Sequence, residues 1–379
     1  MTKSDLDGNI IFSGVQLKPY KLPLKETEGK IRNYSENENK SRLIFDRELG
    51  WSPHNNFIFA DSMYIYRKNG VRSGSLTDTV LQQNSIRILL FGDSYMHGDE
   101  VKFERTIGNL LEELLKNQNL KAEVLNFAVS GYGIDQAYLR WEKVKQKFKP
   151  DIVLFGMQFE NIKRNLNIIR PLYSTITEIP FSKPRFSVEH DQISLINNPS
   201  NSINDLIKVL SDISSWNFSN YETFYDQRNY DNNFFYNSRL ISLISSVYSI
   251  ILNEHNYYEQ ETGSSNLALK ILNEFKLSVE EENGTFLIIH LPVKENFALS
   301  NILFNQLFYD QELIYEPMLN NIKDEFDTIE TYEYLSSWEE NNSNQELFLA
   351  RHYSPTANQL IAERICEYLN LNYKNILEN

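Results

Sequence analysis

Residues 86 to 98 read Ile-Arg-Ile-Leu-Leu-Phe-Gly-Asp-Ser-Tyr-Met-His-Gly, and this stretch decides the predicted fold. The apolar run from Ile86 to Phe91 is short and rich in large aliphatic residues, which is typical of a strand buried on both faces of a sheet. Gly92 ends the run and can adopt a backbone conformation that is closed to other residues, so a sharp turn is possible there. Ser94 is therefore predicted in a loop at the carboxyl end of a parallel strand, where open α/β sheets bind their ligands.

A serine hydroxyl attacks a carbonyl efficiently only when a base accepts its proton and hydrogen-bond donors hold the oxyanion that forms. Two further stretches supply candidate donors. The strand-like run 122–129 leads into a Ser-Gly-Tyr-Gly loop, where Gly131 would leave its backbone N–H open to a substrate. The strand-like run 151–157 is followed by Gln158 and Asn161, whose side-chain amides can donate to an oxyanion.

Two histidines are candidates for the general base. His352 lies just before a terminal helix that Ser354 and Pro355 mark as N-cap and first position. His97 lies three residues after Ser94 and could contact a substrate, but side chains so close on one turn seldom meet end to end. We therefore expect His352 to be the base, with His97 as a possible substrate contact.

Four stretches of the chain together resemble, in order, the sequence blocks of the SGNH hydrolases, also called GDSL-type esterases and lipases. They are Phe-Gly-Asp-Ser-Tyr-Met-His-Gly, Asn-Phe-Ala-Val-Ser-Gly-Tyr-Gly-Ile-Asp-Gln, Pro-Asp-Ile-Val-Leu-Phe-Gly-Met-Gln-Phe-Glu-Asn-Ile and His-Tyr-Ser-Pro-Thr-Ala-Asn-Gln-Leu-Ile-Ala. The resemblance implies a nucleophile at Ser94, a general base at His352, and an oxyanion hole from the N–H groups of Ser94 and Gly131 with the Asn161 side chain. It also implies a bacterial source and a reaction without metal or organic cofactor.

Two departures from the family pattern bear on the site. The acid that orients the histidine normally lies about three residues before it, but Leu349 occupies that position. Glu346 or a backbone carbonyl could orient the ring instead, or the site could have lost activity. In the third block, a compact form of the loop places the amide at Gln158 and a longer form at Asn161; we expect Asn161.

The expected function is hydrolysis of a carboxylic ester, in the manner of an esterase or deacetylase, through an acyl-enzyme. The substrate would be a small-molecule or glycan ester. One alternative is an O-acyltransferase that acts on a glycan or biosynthetic intermediate with the same residues. Another is a binding protein that keeps the fold without catalysis.

The composition fits an enzyme with a large core, since 41% of the 379 residues are hydrophobic. A net charge of −14 argues against nucleic acid or anionic membrane as a partner. The single cysteine, Cys366, excludes an intrachain disulfide and a cysteine-rich zinc site. The N-terminus lacks an apolar signal segment, and the apolar run Leu240 to Leu252 is too short to span a bilayer, so a cytoplasmic protein is expected.

The predicted fold is α/β: a flavodoxin-like three-layer α/β/α sandwich around a central parallel sheet. Its strands are expected at 86–91, 122–127, 152–157, 285–291 and 327–332.

Residues 1–85 are predicted to form a polar arm, Lys25 to Arg42, and a lead-in segment before the domain at 86–379. This domain would carry a large helical and aromatic insertion at about 163–284, with a hairpin at Phe186 to Leu195. The aromatic stretch Trp216 to Tyr236 suits sugars or an acyl chain, or would pack a small core of its own.

Overall fold

The computed structural model describes residues 2–60, 62–77, 85–174, 177–259, 262–342 and 346–377. The strands are β1 (Thr2–Ser4), β2 (Ile10–Phe12), β3 (Val15–Gln16), β4 (Leu43–Asp46), β5 (Gly50–Pro53), β6 (Phe57–Phe59), β7 (Tyr64–Tyr66), β8 (Arg72–Ser73), β9 (Ile86–Gly92), β10 (Ala122–Asn126), β11 (Ile152–Met157), β12 (Arg185–Glu189), β13 (Gln192–Ile196), β14 (Thr285–His290), β15 (Thr328–Ile329), β16 (Phe348–Leu349) and β17 (His352–Tyr353). The α-helices are α1 (Leu24–Glu36), α2 (Ser94–His97), α3 (Ile107–Asn117), α4 (Ile134–Phe148), α5 (Glu160–Arg164), α6 (Arg170–Tyr173), α7 (Asp205–Ser211), α8 (Arg239–Asn256), α9 (Gly263–Glu281), α10 (Leu299–Tyr309), α11 (Glu316–Glu325), α12 (Tyr332–Asn341), α13 (Pro355–Asn372) and α14 (Lys374–Leu377).

The chain forms two compact units. Unit 1 comprises residues 1–51 and 163–267, and unit 2 comprises residues 52–162 and 268–379. Unit 1 thus combines much of the stretch predicted as an N-terminal arm with much of the predicted insertion.

Unit 2 is built on a mainly parallel sheet. Among the described residues this sheet has eight strands in the order β15-β14-β11-β9-β10-β8-β7-β6. Five of these strands run parallel to one another and lie where the sequence predicts them: β15, β14, β11, β9 and β10. The prediction of an α/β fold with a central parallel sheet is therefore confirmed. The antiparallel edge formed by β8, β7 and β6 was not foreseen, because these strands are short and fall in the stretch predicted as a lead-in.

Helices cover both faces of this sheet. Side chains alternate between the two faces along a strand, so neighbours on β9 pack against different helices. Ile88 and Leu90 share a buried core with the apolar faces of α3 and α13. Phe91 points to the opposite face and meets Trp141 of α4 and Phe275 of α9 edge to face, with ring centroids 6.0 and 5.7 Å away. The helices and the sheet form the three layers that the sequence predicts.

Unit 1 has a core of its own, made of apolar side chains that include Ile31, Ile168, Ile169, Leu206, Val209, Leu210, Ile213 and Phe218. Strands β12 and β13 pair as the antiparallel hairpin that the sequence predicts. Within the stretch predicted as a polar arm, α1 buries Ile31 and Tyr34, so this part is an amphipathic helix. Among the described residues, no helix has both the length and the hydropathy needed to cross a membrane.

Candidate active site

Ser94 lies on the sharp turn that joins β9 to α2. The φ angle of Gly92 is +144°, and a Cβ atom added there would lie 2.7 Å from the carbonyl oxygen of Gly156 on the neighbouring strand β11. Asp93 caps α2, since its carboxylate accepts a hydrogen bond from the N–H of Tyr95 at 3.0 Å. Gly92 therefore permits the close approach of the two strands, and Asp93 holds the turn that presents the serine.

His352 reaches Ser94 although 258 positions separate them in sequence. Its Nε2 atom lies 2.9 Å from Oγ of Ser94. Two contacts fix the segment that carries the histidine. The hydroxyl of Ser354 caps α13 directly after it, and the hydroxyl of Tyr95 donates to the carbonyl of Arg351 at 2.7 Å. The fold thus brings the nucleophile and base expected from the sequence within hydrogen-bond distance.

The carboxylate beside His352 belongs to Glu100, in the loop that follows α2. Its Oε1 atom lies 3.1 Å from Nδ1 of His352, with 33% of the Glu100 side chain and 18% of the His352 side chain exposed. This distance is within ion-pair range, but the ring N–H does not point at the oxygen well enough to form a hydrogen bond. Leu349 and Glu346 are both exposed. Sequence reasoning missed Glu100, although an acidic pair follows the serine turn directly in the chain.

The backbone of Glu100 is held in a left-handed conformation. Its φ angle is +70°, which a residue with a side chain adopts only when its surroundings impose it. The N–H of Glu100 donates to the hydroxyl oxygen of Tyr64 at 3.0 Å. The Tyr64 ring in turn stacks on His97, with centroids 5.8 Å apart. Strand β7, which carries Tyr64, therefore positions the acidic residue.

His97 is part of a buried polar network, and its side chain is only 1% exposed. Its Nδ1 lies 2.6 Å from Oδ1 of Asp99, and its Nε2 lies 3.1 Å from the Tyr66 hydroxyl. The other oxygen of Asp99 accepts from the hydroxyl of Ser130 at 2.7 Å, next to Gly131. Both ring nitrogens of His97 are thus occupied, and the network ties the loop after α2 to the loop after β10. Within the described ranges, no group of three or more His, Cys, Asp or Glu side chains is arranged to hold a metal ion.

Asn161 joins three loops at the carboxyl edge of the sheet. Its Nδ2 donates to Oδ2 of Asp93 at 3.2 Å and to the carbonyl of Tyr132 at 3.0 Å. Its Oδ1 accepts from the backbone N–H of Gln158 at 3.0 Å. The side chain is buried, and both amide hydrogens already have acceptors. The residue expected to donate to an oxyanion therefore holds the loops together.

Three polar groups at the carboxyl edge of the sheet lack hydrogen-bond partners in the described part of the chain: one side-chain oxygen and two backbone N–H groups. The side chain of Gln158 is buried, and its Oε1 has no hydrogen-bond partner there; the two ends of an amide are interchangeable by a flip. The backbone N–H groups of Ser94 and Gly131 likewise donate to no described atom, and the φ angle of Gly131 is +81°. Because buried N–H groups are rarely left without a partner, these donors are suited to receive an anion.

No protein-family model matches this chain, and no curated protein matches it. The chain is similar to several solved structures. A member of the lipolytic protein G-D-S-L family from Veillonella parvula is 10% identical, with a TM-score of 0.37 over 76% of this chain and 99% of that one. The lipase/acylhydrolase from Enterococcus faecalis is 11% identical, with a TM-score of 0.38 over 75% of this chain and 95% of that one. An acetyl xylan esterase is 13% identical, with a TM-score of 0.36 over 75% of this chain and 100% of that one.

Proposed function

We propose that this protein is a serine hydrolase that cleaves a carboxylic ester through an acyl-enzyme. The observation that carries the proposal is the line of three side chains in which Oγ of Ser94 lies 2.9 Å from Nε2 of His352, and Oε1 of Glu100 lies 3.1 Å from Nδ1 of the same ring. A nucleophile with a base in hydrogen-bond reach, and a carboxylate that stabilises the charged base, are the parts that favour acyl transfer.

In the first step, Nε2 of His352 accepts the hydroxyl proton while Oγ of Ser94 forms a bond to the ester carbonyl carbon. Collapse of the tetrahedral intermediate breaks the bond to the alcohol oxygen, and His352 returns the proton to that oxygen. A water molecule then attacks the acyl-enzyme by the same route and releases the acid. The carboxylate of Glu100 stabilises the positive imidazolium that exists between these proton transfers.

The proposed oxyanion hole consists of the N–H groups of Ser94 and Gly131 and the side-chain amide of Gln158. Gln158 takes the place that the sequence analysis gave to Asn161, because the Asn161 amide hydrogens are already bound to Asp93 and Tyr132. The two backbone donors need no rearrangement to stabilise a developing oxyanion, and Gln158 donates once the two ends of its amide are exchanged.

The sequence analysis left two alternatives to a hydrolase, a binding protein without catalysis and an acyltransferase. A binding protein without catalysis was suggested by Leu349 and by the altered third block, and Glu100 beside the histidine removes the first of these reasons. An acyltransferase would use the same residues, and only the acceptor differs. Product analysis with and without an added sugar acceptor therefore distinguishes hydrolysis from transfer.

Labelling with a fluorophosphonate, followed by intact-mass measurement, tests whether the serine is activated. We expect one adduct on the wild type, none on Ser94→Ala, and an undiminished adduct on the control Ser337→Ala, whose serine is exposed on α12. Hydrolysis of p-nitrophenyl acetate should follow the same pattern. Absence of an adduct on folded wild-type protein, or its persistence in Ser94→Ala, would refute the proposal.

Measuring both kcat and the unfolding free energy distinguishes the roles of the two amides, Gln158 and Asn161. Gln158→Ala should lower kcat by about 100-fold, because it removes a proposed oxyanion donor. It should leave the unfolding free energy nearly unchanged, because Oε1 of Gln158 has no hydrogen-bond partner among the described residues. Asn161→Ala should lower the unfolding free energy by about 2 to 4 kcal/mol, because it leaves several buried groups unpaired. The opposite pattern would return the oxyanion role to Asn161.

A further inference from the structure

Unit 1 contains an aromatic cavity of about 390 Å³. This volume lies within the range of small-molecule sites, which are lined by apolar and aromatic side chains with a few placed polar groups. The aromatic residues that line it are Tyr20, Tyr173, Phe224, Tyr230 and Tyr257. Several of these rings also contact one another: Tyr173 meets Phe224 edge to face at 4.9 Å, and Tyr20 meets Tyr230 at 5.9 Å. The walls therefore offer several aromatic faces and edges within one small volume.

Lys18 is a buried cation on the wall of this cavity. The residue is only 8% exposed, and its ammonium donates one hydrogen bond, to the hydroxyl of Ser249 at 2.9 Å. An ammonium carries three protons, so two remain without a described acceptor. Asp226 also lines the cavity, but its carboxylate is bound by the Arg228 side chain, at 2.7 Å for the closest pair. No carboxylate in the described part of unit 1 lies within ion-pair distance of Lys18.

A lysine that is largely buried and has no counter-ion is unusual, because lysines are almost never fully buried unless they are paired. Burial lowers the pKa of Lys18, and the nearby negative charge of Asp226 opposes this effect without cancelling it. A negative group placed in the cavity would supply both the missing counter-charge and the missing acceptors.

We propose that the cavity binds a small organic acid in which a carboxylate is attached to a six-membered ring. The carboxylate would accept hydrogen bonds from Lys18, and the ring would pack against Tyr173, Phe224 and Tyr257. Aromatic acids and acidic sugars share this chemistry, since both present an apolar face or edge that packs well on aromatic side chains. A lone inorganic anion would satisfy the cation but would leave the aromatic walls uncovered.

Binding of four probes by isothermal titration calorimetry tests the proposal. Benzoate and glucuronate carry the carboxylate on an aromatic and a sugar ring, and benzyl alcohol and glucose are their neutral counterparts. We expect at least one acid to bind at least about tenfold more tightly than its neutral counterpart, which corresponds to about 1.4 kcal/mol. The acid that binds identifies the ring class. Failure of both acids to bind, or equal binding of acids and neutral compounds, would overturn the proposal.

Three variants test the assigned contacts. Lys18→Met removes the charge but keeps the length of the side chain, and should weaken binding of the acid at least about tenfold. Lys25→Met, at an exposed lysine outside the cavity, should bind as the wild type does. Tyr173→Leu keeps the charge and should weaken binding several-fold through loss of a ring wall. An unchanged affinity in Lys18→Met would refute the proposed contact.

The stability of Lys18→Met without ligand separates a binding role from a structural one. An unpaired buried charge destabilises the fold, so its removal should leave the urea midpoint unchanged or raise it. A lower midpoint would mean that Lys18 supports the fold, which would contradict the proposal. Ser94→Ala should bind the acid as the wild type does, because unit 1 contains none of the proposed catalytic residues. This control keeps the cavity proposal independent of the proposed hydrolase.

Discussion

Replacing Glu100 by Gln tests the assignment that the sequence did not foresee. The change keeps the size of the side chain and removes the negative charge that lies 3.1 Å from Nδ1 of His352. In the proposed mechanism, His352 gains a positive charge when it accepts the serine proton, so the lost carboxylate charge should raise the barrier to acylation and leave ester binding unchanged. We therefore expect kcat to fall and KM to remain close to the wild-type value.

The expected magnitude follows from the distance and the exposure of the pair. Two unit charges 3.1 Å apart interact by about 1.3 kcal/mol in water and about 5 kcal/mol at an effective dielectric constant near 20. One third of the Glu100 side chain is exposed and the contact is poorly aligned, so the lower part of this range applies. A loss of about 1.4 to 2.8 kcal/mol corresponds to about 10- to 100-fold in kcat. A fully buried triad acid contributes more, about 10⁴-fold.

The assay is steady-state hydrolysis of p-nitrophenyl acetate, together with the rate of fluorophosphonate labelling. Glu346→Gln is the matched control, because Glu346 is an exposed carboxylate near the histidine in sequence. It should retain wild-type rates. Wild-type kcat in Glu100→Gln would refute the assignment of the acid, and a loss confined to Glu346→Gln would move that role to the loop before His352.

Tyr64→Phe provides a second route to the same effect without touching the carboxylate. It removes the oxygen that accepts the backbone N–H of Glu100. We expect a smaller loss of kcat, about 3- to 10-fold, because the loop keeps its other contacts. In the Glu100→Gln background the same change should have no further effect, since it acts through Glu100. Additive losses in the double variant would show that Tyr64 acts by some other path.

The remaining predictions concern stability, measured by urea unfolding. Gly92→Ala should lower the unfolding free energy by at least about 2 kcal/mol, because an added Cβ would meet a backbone oxygen at 2.7 Å and φ is +144°. Gly29→Ala, on α1 with open space around it, should raise the unfolding free energy by about 0.5 to 1 kcal/mol. Equal stability of both variants would contradict this reasoning. Burial alone would raise the pKa of Glu330, but the hydrogen bond and charge of His290 lower it from 4.5 to about 2. Because the pKa is depressed, its stabilisation is complete above about pH 4.5 and is lost as the pH falls through about 2. At 1.36 kcal/mol per pH unit, the unfolding free energy of the wild type should fall by up to about 3 kcal/mol over that interval, beyond any fall seen in Glu330→Gln. Parallel plots of unfolding free energy against pH for the two proteins would disprove the coupling.

The parts of the site that could be predicted are those with a local signal in the chain. The apolar run of β9 and the glycine that ends it place Ser94 at a sheet edge, because burial and turn geometry act over a few residues. The Ser-Pro start of α13 places His352 just before a helix for the same reason. The parallel strands follow from continuous apolar runs. Short antiparallel strands such as β7 leave no comparable pattern, so the edge of the sheet that carries Tyr64 could not be predicted.

The choice between Gln158 and Asn161 depends on hydrogen bonds that the sequence does not record. The two residues have the same amide chemistry and lie three positions apart, Gln158 in the loop after β11 and Asn161 in the first turn of α5. What distinguishes them is that Asp93 and Tyr132 accept the hydrogens of Asn161, while Gln158 has a side-chain oxygen without a partner. The proposed choice of Gln158 therefore depends on neighbours of Asn161 that lie on two other loops.

The acid illustrates why a missing motif residue is a weak argument against catalysis. The requirement is only that a carboxylate reach Nδ1 of the histidine, and every loop at the carboxyl edge of the sheet can supply one. Leu349, at the position where the sequence analysis expected the acid, is exposed, while Glu100 approaches the His352 ring from the loop that follows α2. Its left-handed backbone and the hydrogen bond from its N–H to Tyr64 accompany this different route. A lapse of activity should therefore be inferred from the surroundings of Nδ1 and not from position 349.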